Sequence, residues 1–143
     1  MDSEKLRCPE IWRTLNLAKN EIMARRPERA LELIESARAA AEQSGVGALV
    51  VELRLLLAEA FGAKGDPVAE VFFSEALNII AGLEGRHTEL EMRAHEHFAD
   101  FLVKFAARPL DARDHILAAN RIAIREGLEK ESIRLGLKTI VTY

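Results

Sequence analysis

The sequence predicts an all-α chain, a right-handed stack of three antiparallel helical hairpins followed by a last helix. Three observations predict it. The four prolines, Pro9, Pro27, Pro67 and Pro109, each precede a long run of helix-forming residues. Proline is tolerated in the first helical turn, where its missing N–H has no intrahelical acceptor to lose. Glycines follow those runs where a left-handed C-cap would sit: Gly45 and Gly47, Gly82 and Gly85, and Gly127. Pairs of alanines seven residues apart, Ala30 with Ala37, Ala69 with Ala76 and Ala112 with Ala119, each begin two or three residues after a proline. Seven residues make two helical turns, so each pair lies on one face and lets a neighbouring helix come close.

Seven helices follow in order. The first spans 9–25 and carries Leu17 beside Ala18; the second, 27–44, carries the first alanine pair. The third, 47–64, holds Leu53, Leu55, Leu56, Leu57 and Phe61 over so wide an arc that it must be covered on both sides. The fourth, 67–82, starts at Pro67 with Asp66 as N-cap, and its Val71, Phe72, Phe73, Leu77, Ile79 and Ile80 also place it centrally. In the fifth, 87–107, Leu90, Ala94, Phe98, Phe101, Leu102 and Phe105 form a stripe, while Glu89, Arg93, Glu96, Asp100 and Lys104 fall largely elsewhere. The sixth is 109–126. The seventh, 128–142, offers Ile133, Leu137, Ile140 and Val141 as a stripe that caps the third hairpin, with Glu129, Arg134 and Lys138 outward. The hairpins are thus about 9–45, 46–85 and 86–127, within one domain over 1–143.

Composition narrows the class. Apolar residues are 49% and charged residues 30% of 143, which suits a globular core and excludes a disordered chain. The net charge of −3 provides no basic field for nucleic acid or anionic lipid. No apolar run approaches the roughly 20 residues that span a bilayer, and residues 1–10 lack a secretory apolar stretch, so the expected location is the cytoplasm. Cys8 is the single cysteine, which excludes an internal disulfide and a zinc site built from several thiolates.

The hairpins share more than alanines. Leu17-Ala18, Leu57-Ala58 and Phe98-Ala99 each set a large apolar residue beside a small one, with Phe61 and Leu102 following. With those residues the chain resembles the tetratricopeptide-repeat family over roughly residues 10–127, in a long-helix variant common in bacterial regulatory proteins. Leu57, Ala58, Phe61, Gly65, Ala69 and Ala76 make the best copy; in the first copy Glu21 takes the aromatic slot and Ile22 packs instead. The matched alanines are 39 and then 43 residues apart, against about 34 for the family. The proline expected at the end of each second helix is missing. Related helical-hairpin solenoids remain the alternative.

No phosphate loop, G-x-S-x-G elbow or H-E-x-x-H motif is present. Among His87, His95, His97 and His115, the adjacent His95-Glu96-His97 looks like a metal motif, but residues two apart on a helix diverge by about 200° and cannot share an ion. Glu91 and His95 share a face and are read as structural. Arg25, Arg26 and Arg29 surround the first hairpin turn without aromatic neighbours and read as a solvated turn. The expectation is therefore no enzyme, no cofactor and no metal.

The resemblance implies a groove lined by the first helix of each hairpin. Registering those helices gives Trp12, Asn16, Lys19 and Met23, then Glu52, Leu56, Glu59 and Ala63, then Arg93, His97, Asp100 and Lys104. Such a mixed surface suits an extended peptide or a partner helix, with Trp12 either an anchor or a cover for the end of the first hairpin. The expected function is a protein-binding adaptor; the alternative is a structural module that self-assembles through its terminal helices into a homodimer.

Overall fold

The computed structural model describes residues 8–142, with side chains to residue 140. Residues 1–7, most of the opening stretch in which a secretory segment was looked for, and the side chain of Val141 lie outside the described residues. Among those described are seven helices and no strand: α1 (Pro9–Met23), α2 (Pro27–Gln43), α3 (Gly47–Ala63), α4 (Ala69–Gly82), α5 (Thr88–Lys104), α6 (Pro109–Arg125) and α7 (Glu129–Thr142). They fall into two compact units, residues 1–84 and 85–143.

Three interhelical turns share one construction. The residue two places before Pro27, Pro67 and Pro109 is left-handed in each case: Arg25 at φ 63°, Gly65 at 71° and Ala107 at 52°. In the first two turns the closing bonds are alike: Arg26 N donates to Glu21 O and Arg25 N to Ile22 O, as Asp66 N donates to Phe61 O and Gly65 N to Gly62 O. These paired bonds satisfy carbonyls that the helix end would leave bare. They also end the helices one to three residues earlier than the sequence predicts. Only Gly65 adopts this backbone without a Cβ penalty.

In the first unit α1 packs on α2, α3 on α4, and α3 also on α1 and α2. The core holds Leu15, Ala18, Ala30, Ile34, Ala37, Leu49, Leu53, Leu56 and Leu57. Ala69 and Ala76 are fully buried as well, so small side chains sit where helices approach. Ile22 and Trp12 pack against this core from its margin. Gly47 opens α3, and a Cβ there would meet Leu83 Cδ2, the tip of a side chain that would have to turn aside. Phe61 stacks on Phe72 with ring centroids 5.7 Å apart. Arg54 links three helices, with Nη2 2.7 Å from Glu42 of α2 and Nε 3.0 Å from Glu75 of α4.

Two expectations for α4 are corrected. The helix begins at Ala69, because Asp66 Oδ1 accepts a bond from Val68 N and closes a turn around Pro67 first. Val71 is 52% exposed, since α4 meets α3 along one face and leaves the other to solvent.

In the second unit α5 packs on α6 and α6 on α7. Ala94, Phe98, Ala99, Phe101 and Leu102 of α5 are buried, as are Ala112, Ile116, Ala119, Ile122 and Ala123 of α6. Phe105 departs from the predicted stripe. It is 43% exposed beyond the end of α5, beside Phe101 and under the Lys104 ammonium.

Candidate functional site

The last helix reverses the face assigned to it. Ile133, Leu137 and Ile140 are 57%, 58% and 80% exposed, and among the described side chains of α7 Leu135 is the apolar one buried in their place. On a helix turning 100° per residue those three cluster on the side opposite Leu135. Leu135 inserts among Met92, Ala119, Ile122 and Ala123.

Charge holds the helix in this rotation. Arg134 reaches Glu96 of α5 with Nη1 to Oε2 at 2.6 Å and Nη2 to Oε1 at 2.8 Å, a two-pronged pairing that a planar guanidinium makes well. One turn on, Lys138 Nζ bonds Glu96 Oε2 and Asp100 Oδ1, each at 2.8 Å. The Arg134 bonds, with Lys138 adding to them and burial opposing, pull the Glu96 carboxyl down to about 2. Burial works against the Lys138 ammonium, but its bonds to Asp100 and Glu96 prevail and raise its pKa. Arg134 and Lys138, predicted outward, are therefore half turned in as tethers. A sequence signal for this exists: acids four apart on one helix, Glu96 and Asp100, match bases four apart on another, Arg134 and Lys138.

The residues expected to line a groove divide between the two units. In the first, Trp12 is half buried against the core, as a cover for the end of the hairpin would be. Asn16 and Ala63 are exposed, Met23 is 74% exposed, and Lys19 and Glu59 are half buried. Glu52 and Leu56 are corrections, since both are buried, Leu56 completely; α3 is enclosed so fully that little of it reaches solvent. In the second unit Arg93 and His97 are half buried, Asp100 is engaged by Lys138, and Lys104 lies over Phe105.

His95 and His97 diverge as the helical period requires. His95 instead meets His115 of α6, Nδ1 to Nδ1 at 2.9 Å, with Phe98 stacked on His115 at 4.4 Å. A hydrogen bond there needs one Nδ1 to carry a proton and the other to accept the bond through its lone pair. Burial, then His115 and Arg121, lower His95 to about 4. Sequence reasoning missed this pair because it joins different helices. Among the described residues no group of three or more His, Cys, Asp or Glu side chains is placed to hold a metal ion. Cys8 packs against the first core, and in the basic turn Arg26 and Arg29 both face Glu21.

Comparison of the chain with protein-family models, with curated proteins and with solved structures finds no match. No described helix is long and apolar enough to cross a membrane. The residues themselves therefore carry the functional argument.

Proposed function

We propose that the chain is a helical-hairpin module of the tetratricopeptide kind that binds a protein partner and catalyses no reaction of its own. One observation carries the reading: three large apolar side chains, Ile133, Leu137 and Ile140, stand outward on a helix whose opposite face is tethered by Leu135 and the Glu96 ion pairs. Scattered exposed leucines are ordinary, whereas a single-faced apolar stripe on a fixed helix suits a partner's apolar ridge. Hairpin pairing within each unit, the buried alanine pairs and the shared turns support the repeat architecture.

A second reading keeps partners on the first helices, with Asn16, Lys19 and Glu59 as a surface of one unit and Arg93, His97, Asp100 and Lys104 as a separate surface of the other. The accessibility of Asn16 and Lys104 favours it. Affinity capture from the native cell separates the two readings. The first expects partners retained by the wild type to be lost from an Ile133→Ser, Leu137→Ser, Ile140→Ser variant with an unchanged melting temperature. Loss on Asn16→Ala with Lys104→Ala, and retention by the triple variant, would establish the second.

A further inference from the structure

We infer that the partner of the last helix is a second copy of the same helix, packed antiparallel across a twofold axis at Leu137. The inference rests on the stripe being a docking face, as proposed above, and names its occupant.

Spacing is the first argument. Ile133 lies four residues before Leu137 and Ile140 three residues after it, so the stripe is nearly symmetric about Leu137. In an antiparallel twofold pair a residue a given distance before the axis meets one the same distance after it, so a stripe nearly symmetric about Leu137 sets apolar side chains on apolar side chains. Antiparallel pairing sets each Ile133 opposite the other copy's Ile140 and brings the two Leu137 side chains together on the axis. Gly136, at the edge of the stripe, has open space where a Cβ would stand and leaves room for a second helix.

Charge selects the direction. Glu131, Arg134 and Lys138 are committed to ion pairs within the unit, which leaves Glu129 and Lys130 as the exposed charges of the helix, both at its beginning. A parallel pair would set each of these against its own kind. An antiparallel pair carries Glu129 and Lys130 of one copy away from those of the other, and opposes the helix dipoles as well.

Area sets the strength. At the observed exposures the three side chains offer of the order of 350 Å² per copy, and a pair with its polar rim approaches roughly 1,000 Å², the low end for a specific interface. An interface of that size is a weak, reversible one, so chain concentration sets the share of dimer.

Sedimentation of the full chain from about 1 µM to 1 mM tests the inference. The mass rises from one chain to two, and in Leu137→Glu it stays at one chain with the helical circular-dichroism signal retained. Spin labels on Lys130→Cys, in a Cys8→Ser background, read the direction. Seven residues at 1.5 Å on either side of the axis separate them by at least roughly 20 Å in the antiparallel pair, against about 10–15 Å in a parallel one. One-chain mass at 1 mM, a dimer indifferent to Leu137→Glu, or the short label distance would each overturn the inference. A monomer whose Leu137→Glu variant loses a captured foreign protein overturns the second copy but leaves the docking face intact. A monomer that captures the same proteins with or without Leu137 removes both.

Discussion

Helices α3 and α7 have comparable supplies of large aliphatic residues and opposite fates. In α3, eleven of seventeen residues are buried, one of them the carboxylate-bearing Glu52. Among the described side chains of α7 the buried apolar residue is Leu135, while Ile133, Leu137 and Ile140 face solvent. What differs is the company: α3 is embraced by α1, α2 and α4, whereas α7 rests on α6 and is steered by two carboxylates of α5. An apolar stripe marks a face that can be buried. Which face is buried depends on what the opposing surface offers.

The largest effect that sharpens this contrast is expected at Leu53. Leu53→Ala removes a fully buried side chain from the centre of α3 and should cost about 2–5 kcal/mol, read by urea denaturation. The same truncation of α7 should split by face. Leu135→Ala should cost about 2–3 kcal/mol, and Leu137→Ala less than about 0.5 kcal/mol when both are measured below 1 µM, where α7 is unpaired. Equal losses at the two positions would mean that α7 has no preferred face.

Acid should next loosen α7. Glu96 has its folded pKa depressed from 4.5 to about 2, so its ion pairs stabilise fully above 4.5 and that contribution disappears as pH falls towards 2. With solvent screening allowed for, the contribution is about 1–2 kcal/mol. Glu96→Gln should lower the stability at pH 7 and flatten its dependence over that window. His95 adds a separate slope higher up. Its folded pKa of about 4 lies below 6.5, so the unfolded chain binds the extra proton between those values and stability is lost as pH drops from 6.5 to about 4. His95→Gln should remove that slope in a melting series from pH 7 to pH 4.

A smaller effect than those of Leu53 and Leu135 lies at the turns. Ala107 adopts the backbone that Gly65 adopts freely, so Ala107→Gly should raise stability by about 1 kcal/mol, while Gly65→Ala should lower it by a similar amount. Thermal melts of the two variants moving in the same direction would show that the turns are not equivalent.

Much of this molecule was written locally. Helix positions followed from proline and glycine, because both act on the backbone of their own residue, and six paired alanines announced close helix contacts that the fold indeed buries. A tightly enclosed α3 was legible too, since apolar residues ran around it on nearly every side. Tertiary structure decided the remainder. It chose Leu135 over Ile133, Leu137 and Ile140, joined His95 to His115, buried Glu52, and placed left-handed backbone at Arg25 and Ala107. Periodicity reports that a helix has an apolar side. The rotation that wins is set by pairings with residues some forty positions away, as when Glu96 receives Arg134 and Lys138, and no window along the chain contains both partners.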